Sequence, residues 1–393
     1  MISVEQAVTI VENNIKPTTH FERIPLSKAN TYVLAKDIIS EIDMPPFRQS
    51  AMDGYALFLH DSLTYRLIGE VKAGDDAHPV LKPGEAIRIF TGAPVPDTAN
   101  AIIMQERVDA NNSSITISGA VSLDANIRPL GEQVKKGHMA LKKGSALTTA
   151  AIGYLASLGI TEVEVYKKPS VAILVTGNEL AKAGAPLQYG QIYESNALML
   201  DAALINAGFQ DVTQYKVVDN FEETRHIIEE LITKHDLILV SGGISVGDYD
   251  FVGKAFAALA VEELFYKVKQ KPGKPLFFGR KENTMLFALP GNPAAALTCF
   301  YLYVAVALNK LAGNNNFSLR RIRAKSQSSF TKKEGRAQFL KARYKNHTVE
   351  ILEGQNSSML HTFALANALV YLSEEKNTIN TNDEVEVILL PNR

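Results

Sequence analysis

Residues 237–250 read Leu237-Ile238-Leu239-Val240-Ser241-Gly242-Gly243-Ile244-Ser245-Val246-Gly247-Asp248-Tyr249-Asp250. Four consecutive apolar residues closed by Ser-Gly-Gly describe a short strand buried on both faces and ending in a tight, glycine-bearing loop. A helical pattern follows over residues 251–259. Strand, loop and helix in that order are the unit of an α/β domain with a mostly parallel sheet.

The same rhythm extends in both directions. Strands are predicted at 171–175, 212–218, 277–278 and 285–289, and helices from Ser195, as N-cap, to about 207 and over 221–234. Asn292-Pro293 opens a long apolar helix, with Asn as N-cap and Pro at the first helical position. Three loops follow buried strands: Thr176-Gly177-Asn178-Glu179, the Ser241–Gly247 loop, and Pro290-Gly291-Asn292-Pro293. In a parallel sheet these share the carboxyl edge, where such sheets bind ligands. Glycine lets backbone N–H groups approach an anion, so the three loops together point to a phosphate-bearing ligand.

Outside this region the pattern changes. Residues 4–15 read as a helix with Val4, Ala7, Val8 and Val11 on one face. Short segments at 65–68, 86–90, 101–104 and 114–117, separated by Gly, Pro and Asn, describe a small β module inserted into a domain built from both flanks. Residues 148–158 return to helix and 162–166 to strand. Beyond the Gly313 turn cluster, strands at 339–344, 348–352 and 385–390 form a C-terminal β domain.

Composition bounds the partners. The 393 residues carry 41 basic and 42 acidic side chains, which argues against a generally basic nucleic-acid binder. Between Arg320 and Lys345, however, ten Lys/Arg face one acid. That stretch has alternating strand character, and a solvated barrel face is the preferred reading over RNA binding. One cysteine, Cys299, excludes an intrachain disulfide and a cysteine-rich metal site. The N-terminus lacks a signal-peptide pattern, and the longest apolar run, 294–308, is shorter than the roughly 18–20 residues that span a bilayer. It reads as a buried helix, and a cytoplasmic protein without membrane partners is expected.

Simple nucleotide motifs fail. Gly247 to Lys254-Ala255 has the wrong spacing for a phosphate loop and lacks the magnesium-holding hydroxyl, and no strand precedes G-x-G-x-x-G. Lys267, Lys269 and Lys271 alternate, so on one strand they point one way, either into solvent at an edge or, with Lys274, towards an oxyanion. Glu179, Asp219, Asp248 and Asp250 form a candidate magnesium set, because hard cations take carboxylate and phosphate oxygens.

Taken together, the motifs resemble the molybdopterin molybdenumtransferase family, the MoeA type related to the gephyrin E domain. The matching stretches, in family order, are Pro45–Ala56, Ile89–Pro96, Gly190–Asn196, Ser241–Asp250, Lys271–Pro275 and Leu289–Pro293. The resemblance implies four domains: a discontinuous dimerisation domain of 1–45 plus 144–168, an inserted β domain 46–143, a molybdopterin-binding-like α/β domain 169–312 and a C-terminal β-barrel 318–393. It implies a homodimer that inserts molybdate into adenylylated molybdopterin with release of AMP, and that requires Mg²⁺. A further partner is the enzyme that adenylylates molybdopterin.

By the same resemblance Asp53, Glu179, Asp219, Asp250, Lys267 and Lys271 are catalytic, with Glu179, Asp219 and Asp250 holding the metal. Substrate contacts fall to Thr91, Arg128, Ser241, Gly242, Gly243, Ser245, Lys274, Pro290, Asn292, Pro293, Arg336 and Ser357. Two positions depart from the family pattern: Asn178 and Gln133 stand where an Asp is usual. The alternatives are molybdopterin adenylylation itself and a gephyrin-like scaffold.

Overall fold

All six residues of the strand Val171–Thr176 are buried, and their side chains divide between two cores. Val171, Ile173 and Val175 pack with Leu237, Leu239, Phe287 and Leu289 on one face. Ala172 and Leu174 pack with Ile238, Val240, Leu286 and Ala288 on the other. This two-sided burial is why these strands read as continuous apolar runs. The computed structural model describes residues 1–76, 78–244, 251–333 and 335–391.

The six-stranded sheet runs Val212–Val217, Val171–Thr176, Leu237–Ser241, Thr284–Leu289, Phe277–Lys281, Glu262–Tyr266. The first four are parallel to one another. The last two are antiparallel additions at one edge. Helices Val4–Asn14, Asn196–Asn206 and Pro293–Cys299 contribute to the first core, and Phe221–Lys234 and Phe251–Ala258 to the second. Ser3 opens the first helix with a capping box: its hydroxyl accepts from the Gln6 N–H while Gln6 Oε1 accepts from the Ser3 N–H.

Two expected caps differ from the prediction. Ser195 occupies the N-cap position but makes no side-chain cap; Glu194 Oε1 instead accepts from the Ala197 N–H at 2.8 Å. Asn292 also makes no side-chain cap; its amide nitrogen donates to Ser357 Oγ at 2.9 Å.

The apolar helix is longer than its apolar run suggests. It continues from Pro293 to Leu311, 19 residues, interrupted by a π-helical turn at Phe300–Val304. By length and composition it is able to cross a membrane, yet 78% of it is buried inside the fold, as in a core helix.

The C-terminal region closes into a five-stranded barrel of Arg321–Ser326, Ala337–Lys345, Thr348–Ile351, Ala368–Leu372 and Glu384–Leu389. Closure comes from the pairing of Ala337–Lys345 with Ala368–Leu372. Ala324, Leu340, Ala342, Val349, Val370 and Val387 help fill its interior. The basic stretch is absorbed here: Arg321 pairs with Glu386 at 2.6 Å and Arg343 with Glu350 at 3.8 Å.

The chain divides into two compact units. One comprises Met1–Arg23, Thr31–Ala35 and Glu164–Arg393, and so contains both the α/β sheet and the barrel. The other, Ile24–Asn30 with Lys36–Val163, holds the β module. Its curved sheet runs Ala101–Met104, Gly54–Leu57, Glu85–Ile89, Thr64–Val71, Ser114–Ile117, Val108–Ala110. Gly54 is required there: a Cβ would stand 1.9 Å from the Ile103 carbonyl oxygen of the paired strand.

Candidate functional site

Val175 lies beside Ser241, and Ser241 beside Leu289, in the parallel registers of the sheet. The three strands therefore end together and deliver their loops to one edge. A cavity of ≈ 730 Å³ opens there. Glu179, Asp219, Ser241, Gly242, Gly243, Pro290, Asn292 and Pro293, all singled out in the sequence, line it. Gly242 has φ +93°, and a Cβ there would meet the Thr176 carbonyl oxygen at 2.5 Å, so only glycine lets these loops approach so closely.

Asp219 is held by the neighbouring loop. Asp219 accepts from Thr176 Oγ1 and, at 3.1 Å, from the Asn178 N–H. Asn178 Oδ1 in turn accepts from the Asp219 N–H at 3.2 Å. Asn178, the departure from the family pattern, thus ties the two loops by its amide oxygen without adding charge.

The barrel contributes to the same edge. Asn292 holds Ser357, and the adjacent Ser358 lines the cavity. The loop carrying these serines is fastened by Lys341, which is 1% exposed. Its Nζ donates to the carbonyls of Gly354 (2.7 Å), Asn356 (3.1 Å) and Met359 (3.0 Å). Burial pushes the Lys341 pKa down. Lys332 is held similarly by the carbonyls of Arg336 (2.8 Å), Ser373 and Glu374 (3.1 Å). Arg336 is fixed through its backbone by this contact.

The lysines are arranged differently from the expected alternation on one strand. The edge strand ends at Tyr266, and Lys267 adopts φ +66° with its ammonium 4.4 Å from the centre of the Tyr266 ring. Lys269 pairs with Glu374 at 3.6 Å. Gln270–Lys271 then forms a separate two-residue strand alongside Ala337–Gln338 of the barrel. The left-handed turn at Lys267 breaks the two-residue repeat, so the three side chains do not share one strand face. Pro275, not Lys267, Lys271 or Lys274, lines the cavity from this segment.

Ser245, Asp248 and Asp250 lie outside the described residues. Asp53, Thr91 and Arg128 belong to the β-module unit. Asp53 Oδ1 accepts from both the Thr91 N–H and its hydroxyl at 2.7 Å, which holds the exposed carboxyl below its usual range. Arg128 pairs with Gln49 in a short antiparallel ladder.

Sequence reasoning missed Asn196, Thr176 and Ser358 as site residues. Asn196 donates to Ser241 Oγ and to the Gly291 carbonyl, both at 2.8 Å, and so joins two of the three loops. Its place at the end of the Gly190–Asn196 stretch was the available signal. Cys299 is fully buried with its pKa raised by desolvation, which makes it a packing residue.

Three family models match the chain: the MoeA N-terminal region (domains I and II) over residues 2–159, a probable molybdopterin-binding domain over 172–310, and the MoeA C-terminal region (domain IV) over 323–390. The molybdopterin molybdenumtransferase of Haemophilus influenzae is 35% identical over 98% of each chain. That of Staphylococcus epidermidis is 32% identical over 99% of this chain and 95% of its own. The crystal structure of the molybdopterin biosynthesis MoeA protein of Pyrococcus horikoshii superposes with a TM-score of 0.85 at 30% identity, covering 99% of this chain and all of that one. With a sheet, cavity and barrel that follow the sequence motifs in order, this chain belongs to the molybdopterin molybdenumtransferase family.

Proposed function

We propose that the chain inserts molybdate into adenylylated molybdopterin, with release of AMP. Membership of the family makes it a transferase of molybdenum cofactor biosynthesis. The observation that carries the finer reading is the ≈ 730 Å³ cavity, which combines glycine loops, hydroxyls and the carboxylates of Glu179, Glu194 and Asp219 at a single sheet edge. Its size suits a ligand of several rings.

Molybdate and a phosphoanhydride are both anions, so the site must offset their repulsion. Gly242, Gly243, Ser241 and Ser358 line the cavity, and their backbone N–H groups and hydroxyls would serve as the donors. Ser357, anchored by Asn292, adds a hydroxyl at the barrel side. Attack on phosphorus by a molybdate oxygen or by water needs no protein nucleophile, in keeping with the inert Cys299.

Glu179 and Asp219 would hold Mg²⁺. Among the described residues no group of three His, Cys, Asp or Glu forms a closed metal cage. Glu179 and Asp219 nevertheless fit a cation that takes its remaining ligands from water and phosphate, while Glu194, the third carboxylate of the lining, caps the Ala197 N–H. A bound Mg²⁺ neutralises charge on the phosphoanhydride.

The same reading includes a cytoplasmic homodimer, with Asp53, Thr91 and Arg128 completing the partner's cleft and Lys267, Lys271 and Lys274 meeting the anionic end of the substrate. The test is direct. Purified protein with adenylylated molybdopterin, molybdate and Mg²⁺ releases AMP in proportion to cofactor formed; absence of AMP release overturns the assignment.

A further inference from the structure

Asn196 sits where the hydrogen-bond polarity of the cavity is decided. Its side-chain nitrogen donates to Ser241 Oγ and to the Gly291 carbonyl, both at 2.8 Å. The Gly291 contact fixes the orientation of the amide, because a carbonyl oxygen only accepts. Ser241 Oγ is therefore an acceptor towards Asn196, and its own hydrogen is left for another partner. Among the described residues no hydrogen bond donated by the Ser241 hydroxyl is formed, although the residue is 2% exposed and lines the cavity. Asn196 Oδ1 is buried without a partner, so the amide is held through its nitrogen alone.

We infer that Asn196 is a positioning residue that turns the Ser241 hydroxyl into an obligate donor to the anionic ligand. This rests on the proposed function, in that the ligand carries a phosphate group. The amide is matched to that task. A carboxylate of the same shape would accept from Ser241, take away the hydrogen intended for the phosphate, and face the Gly291 carbonyl with like polarity. The assignment also explains why one neutral amide can stand beside Glu179 and Asp219 in the same cavity: it organises a donor without adding charge of either sign.

The test titrates AMP into the wild-type protein and into Asn196→Ala, Asn196→Asp, Ser241→Ala and the Asn196→Ala/Ser241→Ala double variant, with melting temperatures recorded in parallel. Each single alanine variant is expected to weaken AMP about tenfold, the usual scale of one hydrogen bond to a charged group. The double variant should bind no more than about threefold weaker than Ser241→Ala, because one residue acts chiefly through the other. Asn196→Asp should bind more weakly still at pH 8 and recover relative to wild type at pH 5.5, as the new carboxyl takes a proton. A merely structural role would not produce that pH dependence. Unchanged affinity in Asn196→Ala, or additive losses in the double variant, overturns the role of Asn196 alone. Failure of the wild type to bind AMP overturns the substrate reading and this inference with it.

Discussion

The ammonium of Lys341 stands 2.7 Å from the carbonyl oxygen of Gly354, inside a barrel strand and with no carboxylate among its hydrogen-bonding partners. A buried cation neutralised only by peptide dipoles is costly unless the geometry is complete. Here three carbonyls share the charge and, in doing so, set the loop that brings Ser357 to Asn292. Lys341→Met should destabilise the fold by about 3 kcal/mol in urea unfolding, since it leaves those carbonyls unpaired. It should also raise the KM for the adenylylated substrate more than it lowers kcat. A variant as stable as wild type would refute the clasp.

Asp53 places both bonds from Thr91 on a single oxygen, Oδ1. Asn can keep that oxygen as an acceptor while losing the charge. Asp53→Asn is therefore expected to leave the melting temperature within about 2 °C of wild type. If the carboxylate acts in the chemistry, kcat falls on the order of a hundredfold. Unchanged turnover would reduce Asp53 to a turn residue.

Glu179 and Asp219 are expected to set the Mg²⁺ requirement. Glu179→Gln and Asp219→Asn should each raise the Mg²⁺ concentration for half-maximal AMP release by about tenfold or more, because each removes one hard oxygen charge. Asp219→Asn should also loosen the Thr176 loop, since an amide cannot accept on both of its side-chain atoms. Titration of AMP release against Mg²⁺ separates the two effects, and an unshifted midpoint in both variants would exclude them as the metal pair.

Lys168 donates to Thr31 Oγ1 at 2.8 Å and to the Gly208 carbonyl at 2.6 Å. Burial lowers its pKa to about 8, against partial opposition from Glu22. In the unfolded chain a lysine keeps its proton to about pH 10.4. Between those values the unfolded state binds more protons, so the contribution of Lys168 to stability rises with pH; below 8 the burial penalty stands in full. Relative to Lys168→Met, the wild type should gain on the order of 1 kcal/mol between pH 7.5 and pH 10, the full shift being reduced by solvent screening of a half-buried ammonium. Chemical unfolding of both proteins at the two pH values checks the sign.

The sheet was legible because two-sided burial writes itself into sequence as unbroken runs such as Leu237–Val240, and the loops were legible because Gly242 admits no other residue. The polar connections were not. Nothing local distinguishes Glu194 from Ser195 as the capping side chain, or shows that Asn292 spends its amide on a serine 65 positions away. Lys341 lies in a stretch whose cations look solvated, and only closure of the barrel buries it. Lys267 departs from the two-residue repeat through a left-handed backbone that a non-glycine residue seldom adopts. Asn196 ended a recognised motif, yet its role depends on two loops brought from elsewhere in the chain.

The π-helical turn at Phe300–Val304 gives the central helix a count as well as a shape. Such a turn absorbs one residue more than an α-helical turn would. Each residue of an α-helix advances the face by about 100°. Tyr303 lies within this turn and donates to Gln270 Oε1, while Gln270 Nε2 reaches the Pro272 carbonyl at 3.1 Å. The surplus residue therefore works as a phase adapter: the helix segments before and after it can each keep their own packing while Tyr303 reaches the segment that carries Lys271 and Lys274. Substitution at Tyr303 would remove one contact. Deletion of a single residue in this turn would re-index every side chain beyond it, so the length of the helix here is as much a functional specification as its composition.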